Sequence, residues 1–564
     1  MKNKLLLLIP LFLLTCSKNK PAHGNNGMVV STSRQASQVG IDILKQGGNA
    51  VDAAAAIGFT LAVTSSSNGN LGGGGFMVAR LNNAKTFTLD YREMAPQAAH
   101  RDMFLDSEGN VIKGKSTQTH FAAGVPGSVD GLLRAWEDYG SGKISIQALI
   151  GPAIDYAENG FKLSKYEARR FNNMKSFLSK HPETKRIFTR NDREWKRGDI
   201  FHQKDLAKTL KRIVEKGRDG FYKGRTADLI VAEMNNVGRW VTLDDLKRYT
   251  AKYRDPIYGK FKDLQIVSMG PPSSGGILLV MMLNMINEIT IKNPNILDGL
   301  TFNSSDYVHL ITEIERRAYA DRATHLGDQD FWRVPTKMLL SKEYAKTRVN
   351  DINLFKATNS EIVKASDANN YESEETTHYS VIDKEGNAVS VTTTINSGYG
   401  SGITVTGAGF ILNNEMDDFS SKPGVPNMFG LIGNEANAVE PYKRPLSSMT
   451  PTIILKDNEP FLILGTPGGS TIITTVLQNI LNVTFHNMTI KETVDAPRFH
   501  SQWMPDVIDY EKNSLSKRVI SDLEKMGHIL ERRGRIGEAN GIMINHDGFW
   551  GGADKRGENT AIGY

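Results

Sequence analysis

A polar segment followed by two strand-forming segments is the sequence feature that most constrains this fold. Residues 357–375 are rich in Ser, Asn, Glu and Asp and contain few large apolar residues, as in an exposed segment that is readily cut. Residues 379–383 and 387–394 have the composition of strands and flank the turn Lys384-Glu385-Gly386. This pattern predicts a β-hairpin that begins directly after the polar segment.

Thr376 lies at the junction between the polar segment and the hairpin. Cleavage before this residue would make it an N-terminal threonine with a free α-amine. A threonine hydroxyl is a weak nucleophile at neutral pH, and an α-amine with a pKa of about 7.7 to 8.0 can act as its base. Threonines are also common in ordinary strands, and Thr392-Thr393-Thr394 would suit any sheet. The spacing alone leaves both a nucleophile and a structural threonine open.

The composition is that of a soluble globular protein without a basic surface for nucleic acid. The 564 residues include 68 basic and 62 acidic side chains, which are spread along the chain. This balance gives no support to nucleic-acid binding. The length ordinarily corresponds to two or more domains, although single domains can also be this large.

The N-terminus has the pattern of an export signal. A short basic start at 1–4 precedes an apolar run at 5–14. This run is shorter than the roughly 20 residues that a membrane-spanning helix needs. We therefore predict a signal peptide at 1–15 and an exported protein.

The only cysteine of the chain, Cys16, follows the apolar run directly. Leu13-Leu14-Thr15-Cys16 resembles a bacterial lipobox, in which the cysteine is lipidated and becomes the first residue. Thr15 departs from the Gly, Ala or Ser that usually precedes that cysteine. We expect lipidation of Cys16 in preference to simple cleavage and release, and a polar tether at 16–27. The expected location is the bacterial periplasm, or a membrane as a lipid-anchored lipoprotein.

The rest of the chain predicts both helices and strands. The middle, from about 127 to 358, is mostly helical in pattern. Helical patterns also occur at 49–63 and 472–482, and strand patterns at 77–80, 87–92, 453–455 and 461–464. Helices and hairpins on both sides of the polar segment indicate an α+β architecture of layered strands and helices.

A long motif around the hairpin matches a known signature. It reads Thr376-Thr377-His378-x-Ser380-Val381, then four residues, then Gly386-Asn387-x-Val389-Ser390-x-Thr392-x-Thr394-Ile395-Asn396, then Tyr399-Gly400. Further matching blocks are 47–54, 70–76, 90–96, 272–276, 318–322, 413–419, 444–449 and 466–470. The chain resembles the γ-glutamyltranspeptidases from residue 28 to its C-terminus.

The resemblance implies a fold, a cleavage and a set of catalytic residues. The implied fold is the four-layer αββα sandwich of N-terminal-nucleophile hydrolases. The precursor would cut itself between Glu375 and Thr376, giving a large chain at 28–375 and a small chain at 376–564. Thr376 would be the nucleophile with its α-amine as base, and Thr394 would support it. The implied oxyanion donors are the backbone N–H groups of Gly468 and Gly469.

The resemblance also implies a site for the zwitterionic end of a γ-glutamyl group. Arg92, Ser447 and Ser448 match the positions that bind its α-carboxylate. Asn396, Glu415 and Asp418 match the positions that hold its α-ammonium. Taken alone, Arg92 beside Glu93 would be an ordinary surface ion pair, whereas the full set matches both charges of the substrate.

The implied reaction has two steps and no cofactor. Thr376 would attack the γ-carbonyl of glutathione or another γ-glutamyl compound, and water, an amino acid or a peptide would then accept the group. The sequence contains no His-Glu-x-x-His motif or cysteine cluster that would bind a metal. His378 is a base by residue type, but its neighbours indicate a structural histidine within a strand.

Two positions depart from the pattern of the family. Phe429, in the segment 420–430 that resembles a lid loop, replaces a tyrosine that closes over the substrate in some members. Glu415 replaces a glutamine.

Two other functions compete with this interpretation. A related acylase of glutaryl or cephalosporin amides would not need both Glu415 and Asp418. A catalytically silent surface lipoprotein that binds amino acids or peptides would not need Thr376.

Overall fold

The structure is a computed structural model that describes residues 20–294, 296, 300–363 and 376–564. The predicted signal peptide, Cys16, the end of the polar segment at 364–375 and thus Glu375 lie outside the described residues.

Strands and helices both occur along the described chain, in short runs of each kind. The strands, numbered β1 to β19 in chain order, are Ala22–Gly24, Gly27–Ser31, Gly74–Arg80, Thr86–Asp90, Phe161–Lys162, Ile200–Phe201, Lys252–Arg254, Ile257–Phe261, Leu264–Ser268, Thr377–Asp383, Ala388–Thr394, Thr452–Lys456, Glu459–Gly465, Phe499–His500, Ile508–Tyr510, Leu530–Arg532, Asn540–Asn545, Gly548–Ala553 and Thr560–Gly563. The α-helices, numbered α1 to α18, are Arg34–Lys45, Ala50–Thr64, Ser128–Tyr139, Ile146–Asn159, Lys165–Asn173, Lys175–Leu178, Pro182–Phe188, Lys204–Lys216, Asp219–Tyr222, Gly224–Met234, Leu243–Arg248, Gly275–Lys292, Ser305–His325, Thr336–Leu339, Lys342–Arg348, Ile472–Thr484, Ile490–Asp495 and Lys517–Met526.

Two seven-stranded sheets pack face to face and form the centre of the molecule. One sheet has the order β19-β2-β10-β11-β3-β4-β7, and the other has the order β1-β18-β17-β13-β12-β9-β8. Apolar side chains from both sheets, such as Val78 and Ile453, form the core between them. Two further cores lie between the outer sheet faces and helices, including α2 on one side and α12 on the other. The fold is therefore an α+β sandwich with αββα layers, as predicted.

The predicted hairpin is present, and it lies in the centre of the first sheet. Strand β10 pairs with β11 in antiparallel register, and Thr377 lies opposite Thr393. Strand β11 also pairs with β3, so the hairpin is held on both sides. The turn includes Gly386, whose φ of +87° suits a residue without a Cβ. Local sequence was sufficient here because turn type and strand alternation are both local properties.

Several other predicted elements agree with the structure. The alanine-rich helix α2 is buried along its whole length, and α16 follows the glycine pair at 468–469. Helix α12 is long and apolar enough to cross a membrane, but 67% of that stretch is buried inside the protein, as expected of a core helix.

The prediction of a mostly helical middle was incomplete. Strands β7, β8 and β9 lie within it, and β8 and β9 complete one edge of the second sheet. In β8 only Ile257 and Phe261 are buried, because this edge strand has one covered face and few neighbours. So short an apolar signal is weak, and pairing with β9 and β12 decides the structure.

Described residues of the predicted tether and of the polar segment form specific contacts. Residues 22–24, within the predicted tether, form β1 and pair with β18. In the polar segment, Ser360 and Val363 are buried, and Nε1 of Trp503 donates hydrogen bonds to both of their carbonyl oxygens. Distant partners, which local composition does not reveal, hold these residues in place.

His378 lies inside the central sheet. Its Nδ1 is 2.9 Å from Oγ1 of Thr392, and its Nε2 is 3.1 Å from Oγ of Ser380. Burial lowers the pKa of His378 to about 3, so the ring is neutral at physiological pH. This environment supports the structural role that the sequence indicated.

The buried ring predicts a loss of stability in acid. An unfolded histidine binds a proton near pH 6.5, whereas His378 in the folded protein does so only near pH 3. As the pH falls through this window the unfolded state takes up the extra proton, so the free energy of unfolding falls by about 1.4 kcal/mol per pH unit from this group. Denaturant unfolding at several pH values between 6.5 and 4 gives the slope of the free energy of unfolding against pH. In a His378→Gln variant, this slope is expected to be smaller by about that amount. The same change at His546, whose side chain is 87% exposed, is the matched control and should leave the slope unchanged. Equal slopes for wild type and His378→Gln would contradict the assignment.

Candidate active site

Thr376 precedes β10 and lies where the hairpin meets two cavities. Its exposed fraction is 4%, and Nδ2 of Asn68 donates a 2.9 Å hydrogen bond to its carbonyl oxygen. Because Thr377 pairs with Thr393, the next residues along the two strands, Thr376 and Thr394, face each other. The sheet therefore fixes the threonine at the junction and its predicted support at one point.

The chain turns sharply after Thr394. The backbone N–H of Asn396 donates a 2.8 Å hydrogen bond to Oγ1 of Thr394, and Asn396 has a φ of +73°. Asparagine tolerates this left-handed conformation better than most residues. Nδ2 of Asn396 donates to the carbonyl oxygen of Asn414, which joins the turn to the segment that carries Glu415.

Gly468 and Gly469 form a turn between β13 and α16. Their φ angles are +138° and +53°, and a Cβ on Gly468 would lie 2.4 Å from Oγ1 of Thr471. Among the described residues, neither backbone N–H donates a hydrogen bond to another protein group. The hydroxyl of Tyr319 donates a 2.5 Å hydrogen bond to the carbonyl oxygen of Ser470 and so anchors the turn to α13. Two N–H groups without protein partners can stabilise an oxyanion.

Arg92 follows β4 and is almost completely buried. Its guanidinium forms ion pairs with Glu415 and Asp418, which belong to a short 3-10 turn. Its Nε also donates a 3.3 Å hydrogen bond to the carbonyl oxygen of Pro445. Residues predicted to bind opposite charges of the substrate are thus paired with one another in this structure.

Burial and charge act in opposite directions on this cluster. Burial raises the pKa of Glu415 and of Asp418, whereas the neighbouring Arg92 guanidinium lowers both. For Arg92, burial lowers the pKa, but the two carboxylates outweigh it and the net shift is upward. Arg92 is therefore charged at any physiological pH.

The position of Glu93 in this cluster was not predicted from the sequence. Both of its carboxyl oxygens are buried, neither accepts a hydrogen bond from any residue that the structure describes, and one lies 3.8 Å from a guanidinium nitrogen of Arg92. Burial raises the pKa of Glu93 to about 7. The adjacent residues Arg92 and Glu93 suggested a surface ion pair, because adjacency in sequence carries no information on burial. The matching block at 90–96 was the available signal.

Ser447 and Ser448 border the same cavity from a neighbouring segment. Ser447 forms an isolated parallel bridge with Ser273, and its Oγ accepts a 3.1 Å hydrogen bond from the N–H of Met449. A hydroxyl that accepts one hydrogen bond keeps its own proton for a second partner. Ser447 is thus able to donate to a carboxylate.

The lid-like segment closes over these residues. Nδ2 of Asn427 donates a 3.1 Å hydrogen bond to Asp418, and the N–H of Met428 donates a 2.9 Å hydrogen bond to Asp417. Phe429 is buried, and a Cβ on Gly469 would lie 2.6 Å from its ring. The ring therefore covers the glycine turn without a hydroxyl of its own.

Nearly all of the predicted site residues border one small cavity. Its volume is about 20 Å³, close to the space of one or two water molecules. It is lined by Arg92, Thr376, Thr394, Asn396, Glu415, Asp418, Phe429, Leu431, Ser447, Ser448, Met449, Gly469 and Ile472. A second cavity of about 700 Å³ is also bordered by Thr376, and Gly468 is among the residues that line it. A ligand in the smaller cavity must separate Arg92 from the two carboxylates or displace the lid-like segment.

One group of possible metal ligands lies elsewhere. Among the described residues, His309, Glu313 and His528 bring ligand atoms within 4.8 Å of one another. Nδ1 of His309 lies 2.7 Å from Nε2 of His528, and Glu313 pairs with two arginines, Arg316 and Arg317. These side chains thus bond to protein groups, and the positive charges of the two arginines disfavour binding of a metal ion beside them.

Comparison with known proteins gives one consistent result. A model of the family described as Gamma-glutamyltranspeptidase matches residues 36–564. The chain is 44% identical over 550 residues to the glutathione hydrolase proenzyme of Escherichia coli strain K12, covering 96% of this chain and 93% of the relative. It is 40% identical over 561 residues to the glutathione hydrolase proenzyme of Bacillus subtilis strain 168, covering 96% and 92%.

Solved structures agree with the fold and the family. The cephalosporin acylase of Bacillus halodurans superposes with a TM-score of 0.81 over 99% of both chains, but at 24% identity this likeness concerns the fold alone. The γ-glutamyltranspeptidase of Helicobacter pylori is 40% identical, with a TM-score of 0.57 over 59% of this chain and 94% of that one.

The relatives match this chain over nearly its whole length, and the matched part includes the threonine hairpin, the glycine turn and the Arg92 cluster. This chain belongs to the γ-glutamyltranspeptidase family.

Proposed function

We propose that the protein is an exported γ-glutamyltransferase and glutathione hydrolase that cuts itself between Glu375 and Thr376. One observation carries the proposal: Thr376 borders the same cavity as a buried arginine and two buried carboxylates. A γ-glutamyl group ends in an α-carboxylate and an α-ammonium, and this cluster offers an opposite charge to each.

The first step forms an ester on Thr376. Its hydroxyl oxygen attacks the γ-carbonyl carbon while the free α-amine takes the hydroxyl proton, and the carbonyl oxygen becomes an oxyanion held by the N–H groups of Gly468 and Gly469. The C–N bond then breaks, and the α-amine passes its proton to the leaving amine. Thr394 orients the threonine from the opposite strand.

The second step returns the enzyme to its starting state. Water, or the amine of an amino acid or peptide, attacks the ester carbonyl, and the α-amine of Thr376 takes the proton of the attacking group. Breaking the ester bond releases glutamate or a new γ-glutamyl compound, and the α-ammonium returns its proton to the leaving hydroxyl oxygen of Thr376. The larger cavity beside Thr376 has room for such an acceptor.

The donor specificity tests this proposal against the acylase alternative. We expect kcat/KM for a γ-glutamyl anilide to exceed that for the glutaryl anilide, which lacks the ammonium, by about 10²-fold or more. The reason is that the glutaryl donor leaves Asp418 and Glu415 buried without their ligand. A glutaryl anilide turned over as fast would favour the acylase, and no turnover of either would favour the silent binding protein.

Export and anchoring rest on the N-terminal sequence. The apolar run at 5–14 and Cys16 support delivery to the periplasm and lipid attachment at the cysteine. Metabolic labelling with a fatty acid is expected to mark the wild-type large chain and to miss a Cys16→Ala variant. An unlabelled wild-type chain in the soluble periplasmic fraction would instead favour cleavage and release.

A further inference from the structure

A second buried arginine lies behind the carboxylate-binding serines. Arg322, on α13, is 4% exposed and does not border the small cavity itself. Its Nη2 donates a 3.3 Å hydrogen bond to Oγ of Ser448, and its Nε donates a 3.0 Å hydrogen bond to Oγ of Ser274.

Arg322 differs from Arg92 in how its charge is balanced. Arg92 forms ion pairs with Glu415 and Asp418. In the part of the chain that the structure describes, by contrast, no carboxylate oxygen lies within 4.0 Å of a guanidinium nitrogen of Arg322. A buried charge without a counter-ion is costly unless a ligand supplies one. The donor's α-carboxylate is the anion expected in the adjoining cavity.

The shift in the pKa of Arg322 agrees with this imbalance. Burial lowers the pKa of Arg322 to about 10, and the nearby charge of Arg92 acts in the same direction. Tyr319 and Asp418 oppose this shift only in part. The guanidinium still carries its charge at neutral pH, and binding of an anion next to it would relieve the desolvation.

The hydrogen bonds from Arg322 fix the direction of both serine contacts. Because Oγ of Ser448 accepts from Arg322, its own proton is left to donate into the cavity. Oγ of Ser274 accepts from Arg322 and donates a 2.7 Å hydrogen bond to the carbonyl oxygen of Ser447, which positions the other serine. A single guanidinium thus orients both predicted carboxylate ligands.

We propose that Arg322 is a positioning residue for donor recognition, which directs the hydroxyl of Ser448 at the donor's α-carboxylate. Its positive charge adds to that of Arg92, which Glu415 and Asp418 already balance. The inference rests on the proposed function, because the anion is the α-carboxylate of a γ-glutamyl donor. Donor recognition depends on the positive charge of Arg322, and not only on the space that its side chain fills.

The test compares two donors that differ only at the α-carbon. One is a γ-glutamyl anilide with its free α-carboxylate, and the other is the same compound with an α-carboxamide. In Arg322→Gln, KM for the carboxylate donor is expected to rise about 10- to 100-fold, with a smaller change in kcat. The reason is that the hydroxyl of Ser448 is no longer directed at the charged α-carboxylate, so its hydrogen bond to that group is lost. The carboxamide donor is expected to change by less than about threefold, and Arg322→Lys should restore part of the preference for the carboxylate.

A matched control separates donor recognition from structural damage. Arg317 lies on the same helix, is completely buried and pairs with Glu313, so Arg317→Lys tests a buried arginine without a serine contact. This variant is expected to affect both donors by the same factor. An equal loss on both donors in Arg322→Gln would overturn the inference.

A double-mutant cycle keeps the inference testable if Arg322→Gln does not yield self-cleaved protein. Arg322→Lys then replaces it, alone and combined with Ser448→Ala. We expect the effect of Arg322→Lys on donor preference to shrink when Ser448 is alanine, whereas additive effects would contradict the proposed route through Ser448. If the wild-type protein turns over neither donor, the proposed function fails. If it prefers the carboxylate donor and every Arg322 variant keeps the full preference, only this inference fails.

Discussion

A Thr376→Ala variant is expected to remain one uncut chain and to lose at least about 10⁴-fold in turnover of a γ-glutamyl anilide. Both losses have one cause, because the same hydroxyl would attack the preceding peptide bond during maturation and the donor carbonyl during turnover. The alanine is expected to retain the fold, since it fits the space of a residue that is 4% exposed and lies just before β10. Gel electrophoresis and a turnover assay on the same preparation measure both effects.

Two neighbouring changes serve as controls for this variant. Thr376→Ser keeps a hydroxyl and is expected to cut and turn over more slowly than wild type. Thr377→Ala removes a hydroxyl that bonds at 2.7 Å to Oγ1 of Thr32, outside the small cavity, and should still cut. A Thr376→Ala chain that divided at the same bond would contradict the nucleophile assignment.

Arg92→Gln is expected to destabilise the protein by about 3 to 5 kcal/mol and to reduce kcat/KM by about 10³-fold. Removing the guanidinium leaves Glu415 and Asp418 buried beside Glu93 without the charge that lowers the pKa of each. These carboxyl groups must take up protons or draw in water. Denaturant unfolding of the variant in the uncut Thr376→Ala background measures the stability of one chain, and turnover of the cut enzyme measures kcat/KM.

A second change separates stability from recognition at Arg92. Adding Glu415→Gln to Arg92→Gln removes one of the stranded carboxylates, so stability should partly recover. Activity should stay low, because the α-carboxylate of the donor still lacks its arginine. Wild-type kcat/KM in Arg92→Gln, or full recovery of kcat/KM in the double variant, would contradict the assigned role.

Local sequence predicted the parts of the fold that local interactions determine. The hairpin around Gly386, the helix after Gly469 and the strands at 452–465 follow from turn residues and from the spacing of apolar side chains. Strand β8 was missed because its structure depends on pairing with a neighbour. The burial of Ser360 and Val363 was not predicted because their partner, Trp503, is distant in sequence.

The site required more than local sequence, because distant segments build it. Arg92 follows β4, Thr376 precedes β10, and Ser448 lies before β12. Only the family resemblance placed them in one site, and the structure brings them to one cavity. The ion pairs from Arg92 to Glu415 and Asp418 were not predicted, because the resemblance describes the site with substrate. The roles of Glu93 and Arg322 depend on burial, which the sequence does not display.

In the proposed mechanism, Thr376 becomes an N-terminal residue and carries the γ-glutamyl group during turnover. Mass spectrometry of the smaller chain, after acid quenching of the wild-type enzyme with excess γ-glutamyl anilide, tests it most directly. We expect a chain that begins Thr376-Thr377-His378 and a fraction of it heavier by one γ-glutamyl group, located on the first residue. A purified protein that stays in one piece, or a γ-glutamyl group found on any other residue, would show that Thr376 is not the nucleophile.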